Sequence, residues 1–228
     1  MANILLLGAS GGIGYKLSQL FPNDQLFLHY YHHKPMGKGF HIDANITQYN
    51  EVEDMVAYIL ENYERIDVVI NATGISKDGF THKIDPNIWK EVVNINLVGN
   101  FNIIRAVLPS MRHREYGRII MLSSVVSQKP VLGTSAYSTS KSALVGFTRT
   151  VALENANKGI TCNTIAMGYF EEGILYQIPE NIRSDIRESI PQKRFGRVDE
   201  LYNAIRFLID TGYMTGQTIS LNGGLYMD

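Results

Sequence analysis

Tyr137 and Lys141 stand four residues apart in the run Tyr-Ser-Thr-Ser-Lys. On a helix, positions i and i+4 share one face. An ammonium beside a phenol favours the phenolate, which is expected to lower the tyrosine pKa from its usual value of about 10. Such a tyrosine exchanges a proton with a substrate oxygen near neutral pH. Taken alone, the pair is a common surface coincidence. Here Ser124 precedes Tyr137 by thirteen residues, and a glycine-rich turn opens the chain. The combination points to hydride transfer at a carbonyl.

The elements that must position these residues read as strands alternating with helices. Ile4 to Leu7 form an apolar run bounded by Gly8, which suits a strand buried on both faces of a parallel sheet. Further strands are expected at Leu26 to Tyr30, Phe40 to Asp43, Asp67 to Ile70, Arg118 to Leu122, Ile160 to Ala166 and Thr218 to Leu221. Helices are expected after Gly14, within Ile46 to Tyr63, over Ile88 to His113 and over Tyr137 to Asn157, the last ended by Gly159 in a C-cap. Two more are expected over Pro179 to Ile190 and Val198 to Ile209. The alternation predicts one α/β domain over residues 1–228, a doubly wound Rossmann-type fold with a seven-stranded parallel sheet and helices on both faces.

Gly8-Ala-Ser-Gly-Gly-Ile-Gly14 joins the first strand to the first helix. Glycine permits the tight turn and lets backbone N–H groups approach a pyrophosphate, and the helix N-terminus turns its positive end to the phosphates. Gly8, Ser10, Gly11, Gly12, Ile13 and Gly14 are therefore candidate dinucleotide contacts; the plainer reading is a tight structural turn. NAD sites usually carry a carboxylate at the end of the second strand. This chain has Tyr30-Tyr-His-His-Lys34 there. With His32, His33 and Lys34 in place of an acid, NADP(H) is preferred and NAD(H) remains possible. Adjacent histidines without a fixed third ligand do not make a metal site. Asp43, followed by Ala44, could accept a hydrogen bond from the adenine amino group or simply cap a turn.

Composition bounds the rest. The 228 residues are 45% hydrophobic and 19% charged, with net charge -1. No global basic field points to nucleic acid or an anionic membrane. Cys162 is the only cysteine, so no internal disulfide framework exists. The start has no basic region and too short an apolar run for a signal sequence, and a cytoplasmic location is the expectation.

Together, Gly8 to Gly14, Asn71-Ala-Thr-Gly74, Asn96, Ser124, Tyr137 and Lys141 resemble the classical short-chain dehydrogenase/reductase family. The resemblance covers essentially the whole chain. Ile190-Pro-Gln-Lys-Arg-Phe-Gly196 and the closing Asn-Gly-Gly-Leu-Tyr-Met are most similar to the 3-oxoacyl-(acyl-carrier-protein) reductases within it. The resemblance implies that Tyr137 is the general acid and that Lys141 lowers its pKa and holds the nicotinamide ribose. Ser124 would bind the substrate oxygen, with Ser123 its rival. Asn96 would hold a water that links Lys141 to solvent; read by itself, it could satisfy a backbone carbonyl. Asn71, Ala72, Thr73, Gly74, Gly168 and Phe170 would line the cofactor.

The chain departs from that pattern in three places. Members usually carry Pro-Gly after the sixth strand and a threonine four residues on; here Met167-Gly-Tyr-Phe-Glu-Glu172 puts Glu172 at the threonine position. An ionised carboxylate cannot donate the hydrogen bond that threonine gives the nicotinamide amide. Tyr31 to Gly39 is too short for the usual helix, and Pro35 and Gly37 disfavour one. Ala72 and Thr73 stand where Asn-Ala is typical.

Substrate is expected to enter over Tyr137 from the segment Gly168 to Phe195, whose Ile174, Leu175, Ile178 and Ile182 would either line an acyl tunnel or pack a helix onto the core. An acidic acyl carrier protein would favour a basic rim; Arg112, Arg114 and Lys158 are candidates, but Glu115 interrupts the patch and solvated surface charge is the favoured reading. The likeness also implies a homo-oligomer, tetramer or dimer, formed through the two long helices and the last strand. A reductase for an unrelated small ketone and a non-catalytic nucleotide-sensing member of the family are the alternatives.

Overall fold

The computed structural model describes all residues except 174, 176, 177 and 228. Strand β1 (Asn3–Leu7) is buried along its whole length. Leu5 and Leu7 enter one apolar layer, Ile4 and Leu6 the other. This is why an unbroken apolar run, rather than an alternating one, marks the centre of a parallel sheet.

Strands β2 (Gln25–Tyr30), β3 (Phe40–Asp43), β4 (Val68–Asn71), β5 (Gly117–Ser124), β6 (Ile160–Met167) and β7 (Thr218–Leu221) complete a sheet of order β3-β2-β1-β4-β5-β6-β7. Every pairing is parallel. Winding runs outward in both directions from β1 and β4, whose ends align with Leu7 opposite Asn71. A crevice opens at such a switch point, beyond the carboxyl ends of the strands.

Helices α2 (Tyr49–Tyr63), α4 (Gly99–Arg114) and α5 (Ser135–Asn155) cover one face of the sheet. Helices α1 (Gly12–Ser18) and α7 (Val198–Asp210) cover the other. The helix expected over Ile88 to His113 proves to be α3 (Pro86–Val93) and α4 joined by a π turn, Asn94–Val98. Asp85 caps its start by accepting from the Asn87 N–H at 2.7 Å. The run Pro86–Arg114 is long and apolar enough to span a membrane by composition. Ile103, Ile104, Val107 and Met111 are instead buried against the sheet, as in a core helix.

Helix α6 (Glu180–Ser189) lies in the segment between β6 and α7. Residues 31–39 form bends and no helix, as their Pro and Gly content anticipates. Gly159 is left-handed (φ 65°) and ends the 3-10 turn that follows α5.

Candidate active site

Lys141 lies one turn beyond Tyr137 on α5, and its Nζ is 5.8 Å from the centre of the phenol ring. The side chain is buried and donates to the Leu122 carbonyl at 2.8 Å and the Thr73 carbonyl at 3.4 Å. Burial draws the ammonium down to about 8. Tyr137 moves the opposite way from the expectation: burial pushes its phenol up to about 12, against the pull of a hydrogen bond from Ser124. Asp78 and Tyr169 add to the rise. Lys141 does not win because its Nζ is spent on two backbone carbonyls and its own charge is poorly solvated.

Ser124 and Ser123 end β5, pointing to opposite faces. Ser123 Oγ donates to the Lys141 carbonyl at 2.9 Å, so its hydroxyl ties the strand to α5. Ser124 Oγ accepts from the Val126 N–H at 3.3 Å and engages Tyr137, so it is the serine beside the phenol.

Asn96 sits in the π turn, fully buried. Its Oδ1 accepts from the Ile75 N–H at 2.9 Å, and its Nδ2 donates to the Ile75 carbonyl at 2.9 Å and to Ser140 Oγ at 3.0 Å. The Asn96 carbonyl accepts from Asn100 Nδ2 at 2.7 Å. The side chain thus clamps the Gly74–Ile75 backbone next to Lys141. A Cβ on Gly74 would stand 3.1 Å from Lys141 Nζ.

Tyr137, Lys141 and Ser124 line one cleft of about 320 Å³, together with Gly11, Gly12, Ile13, Gly14, Ala72, Thr73, Gly74, Gly168 and Phe170. Its size is in the range of small-ligand pockets. Gly8, Ser10, His32, His33, Asp43, Ala44, Asn71 and Asn96 lie outside its lining. Gly8 (φ 73°) turns the chain beneath it, and a Cβ on Gly14 would collide with the Gly8 carbonyl. Asn71 accepts from the Thr73 N–H at 3.0 Å and the Thr73 hydroxyl at 2.5 Å, while its buried Nδ2 has no protein partner. His32 packs on Tyr31, ring centres 3.9 Å apart, on an exposed loop. Asp43 is exposed at the end of β3. Ala44 offers its carbonyl to His29 at 2.9 Å.

The segment after β6 closes the cleft. Glu172 pairs with Lys16 of α1 at 3.6 Å and lines the same cleft as Tyr137. Gly173 lies so close to the glycine turn that a Cβ on Gly12 would be 2.7 Å from the Gly173 backbone N. Leu175 and Ile178 both line the cleft and pack with Ile190 and Phe195, so the tunnel and packing readings coincide there. Ile182 is exposed, and Ile174 lies outside the described residues. Asp78 and Tyr169 also line the cleft, and sequence reasoning missed both.

Arg112, Arg114 and Lys158 form no rim to the cleft, in keeping with the reading of them as solvated surface charge. Arg112 donates to Glu154 and Asn155, Arg114 to Asp67 and Ile66, and Lys158 to Glu115. These residues flank the amino end of β5, whereas Ser124 is at its carboxyl end. At ~3.3 Å per residue, the strand separates the two by roughly 23 Å.

The cleft of about 320 Å³ that Gly11, Gly12, Ile13 and Gly14 of the glycine turn line beside Tyr137 and Lys141 fits a dinucleotide. A parallel sheet with that turn at its switch point and a buried Tyr–Lys pair over the same cleft defines a dinucleotide-dependent oxidoreductase. Residues 29–226 match the family described as Enoyl-(Acyl carrier protein) reductase. The chain is 35% identical to Nodulation protein G of Azospirillum brasilense, over 97% of this chain and 96% of that one. It is 34% identical to the acetoacetyl-CoA reductase of Allochromatium vinosum over the full length of both. A 3-oxoacyl-(acyl-carrier-protein) reductase of Staphylococcus epidermidis is 35% identical over 83% of this chain and 79% of its own. The ligand-free aldohexose dehydrogenase of Thermoplasma acidophilum superposes with a TM-score of 0.92 at 25% identity, covering 98% of this chain and 93% of that one. The chain belongs to the short-chain dehydrogenase/reductase family, and it is an NAD(P)-dependent oxidoreductase.

Proposed function

We propose that this enzyme reduces the ketone of a 3-oxoacyl thioester, carried on coenzyme A or an acyl carrier protein, to the secondary alcohol, using NADPH in preference to NADH. The observation that carries the reading is Tyr137 and Ser124 converging over buried Lys141 in one cleft with the glycine turn. The names of the acetoacetyl-CoA and 3-oxoacyl relatives support the substrate class. The loop His32, His33 and Lys34, with no acid, supports NADPH. A cytoplasmic location is part of the same proposal, supported by the names of these relatives.

A bound nicotinamide dinucleotide would supply the hydride for the carbonyl carbon. Tyr137 gives its proton to the ketone oxygen as negative charge develops there. Burial keeps the phenol protonated until the oxygen needs it. Ser124 donates a hydrogen bond to the same oxygen, where a preorganised donor is worth most. Lys141, held by the Leu122 and Thr73 carbonyls at the cleft wall, would give its remaining hydrogen-bonding capacity to the ribose hydroxyls and support the phenol's loss of its proton. Asn96 acts through the Gly74–Ile75 backbone and is a positioning residue. Leu175 and Ile178 present an apolar wall to the acyl chain.

The test is NADPH oxidation with acetoacetyl-CoA and a panel of unrelated ketones, with Tyr137→Phe as control. The thioester is expected to be the best substrate. The variant is expected to lose at least ~10³-fold in kcat while still binding NADPH, a loss equivalent to about 4 kcal/mol of barrier. Wild-type turnover by the variant would refute the assignment of Tyr137.

A further inference from the structure

The charges in the cleft carry information about substrate that the fold does not. Asp78 lines the same cleft as Tyr137 and Tyr169. The Ser76 hydroxyl holds its carboxylate, donating to Oδ1 at 2.7 Å. The nearby cations are committed elsewhere. Lys77 turns away to Glu91 at 2.6 Å, and Lys16 pairs with Glu172. Lys141 is the one cation among the described lining residues, and it is buried on the Leu122 carbonyl. No arginine lines the cleft, and residues 174, 176 and 177 are Ile, Tyr and Gln, none of them cationic.

Consider a 3-oxo acid with its ketone oxygen at Tyr137 and Ser124. Its carboxylate lies only two carbons away, so it too must sit inside the cleft. There it faces the cleft carboxylates Asp78 and Glu172, the second already paired with Lys16, and finds no free arginine or lysine among the described lining residues. Asp78 is exposed at the rim of the cleft, so its repulsion of a second carboxylate is felt through water and is sensitive to salt, while the substrate carboxylate, drawn into the cleft without a partner, also loses hydration. A thioester or ester of the same acid carries no charge at that position and meets neither penalty.

We infer that Asp78 is a specificity-determining residue that makes the cleft reject free 3-oxo acids and accept the same 3-oxo group only when its carboxyl is masked as a neutral ester or thioester. This rests on the ketoreductase reading above and deepens it. Asp78 does no chemistry; it sets which substrates tolerate the site. Such discrimination against the wrong substrate by a repulsive element is a general route to specificity.

The experiment measures kcat/KM for acetoacetate and for S-acetoacetyl-N-acetylcysteamine, a neutral thioester, in wild type, Asp78→Asn and Asp78→Lys. Wild type is expected to favour the thioester by ~100-fold or more. Asp78→Asn is expected to narrow that ratio about tenfold through a gain on acetoacetate, and Asp78→Lys to narrow it further, in the order the charges predict. Raising KCl about tenfold is expected to narrow the ratio in wild type and to leave that of Asp78→Asn within about twofold. A ratio that is the same within about twofold in all three proteins, with the thioester still reduced, overturns the role of Asp78 and leaves the ketoreductase reading standing. A wild type that reduces neither compound overturns both.

Discussion

The backbone N–H of Gly8 donates to His29 Nδ1 at 3.3 Å, and the opposite ring nitrogen of His29 lies 2.9 Å from the Ala44 carbonyl. With Nδ1 accepting, Nε2 must carry the proton, so one neutral tautomer holds the glycine turn to the end of β3. Burial keeps the His29 pKa below its ordinary value of 6.5. The unfolded chain therefore takes up a proton near pH 6.5 that the folded protein refuses until lower pH. Stability is complete above pH 6.5 and falls as pH drops towards the folded value. Urea denaturation from pH 7.5 to 5 is expected to show this fall. His29→Gln, which keeps a donor and an acceptor but does not titrate, is expected to flatten it. Parallel curves for the two proteins would remove His29 as the cause.

Lys141 is held at a cost. Its drop from 10.5 to about 8 corresponds to roughly 3 kcal/mol of poorer solvation for the folded ammonium at neutral pH. Lys141→Met fills the same volume without the charge but leaves the Leu122 and Thr73 carbonyls without their donor. The net expectation is an inactive protein that is more stable than wild type by about 1 to 2 kcal/mol at pH 7. Folded wild type sheds this proton near pH 8 and the unfolded chain near 10.5, so between them the unfolded state holds more protons and wild-type stability rises. The advantage of the variant is therefore expected to shrink across that window. Denaturation midpoints at pH 7 and pH 10 check both statements.

A methyl group on Gly12 would stand 2.7 Å from the Gly173 N and 3.0 Å from its Cα. Gly12→Ala is expected to push the Glu172–Gly173 backbone off α1 and to fill space that a pyrophosphate needs. Dinucleotide affinity, followed by nicotinamide fluorescence, is expected to fall at least ~10-fold, a cost of about 1.4 kcal/mol. The thermal midpoint should fall as well, because the clash is with the Gly173 backbone, which cannot yield as a side-chain end can. Unchanged affinity would show that the phosphates are bound elsewhere.

The outward face of α4 and α5 leaves apolar residues in water. Leu153 is 83% exposed and Phe101 46%, and a Cβ on Gly146 would meet nothing within 4 Å. These features fit a second copy packing on the two long helices. Light scattering is expected to find an oligomer in the wild type and a smaller species in the pair variant Phe101→Glu with Leu153→Glu, since two buried carboxylates without partners cost several kcal/mol. A monomeric wild type would refute this packing.

Much of this molecule was legible in the order of its residues. Phe40–Asp43 and Thr218–Leu221 are strands with the bounds that apolar runs and breakers predict. Tyr137, Lys141 and Ser124 meet because helix and strand periods fix them locally. Other features depend on competition or distance. The π turn at Asn94–Val98 inserts one residue into the helical ladder without changing any propensity, so Ile88 to His113 read as one regular helix. The sign of the Tyr137 shift depends on burial against charge, and spacing carries no burial. Asp78 and Tyr169 follow different strands, β4 and β6, and only the sheet order brings those loops together. Arg112, Arg114 and Lys158 do gather in space, but at the far end of the sheet, because chain order does not say which end of a strand a cluster will flank.

The position of β1 at the middle of the sheet has a consequence for biosynthesis. In chain order β1 precedes both of its neighbours, β2 and β4, and the second ends only at Asn71. Until β4 has emerged from the ribosome, the nascent Ile4–Leu7 has one edge unpaired, and α4, α5 and α7, which complete the cover of its two faces, are still to be made. That open edge is where a partly synthesised chain would be most prone to pair with another.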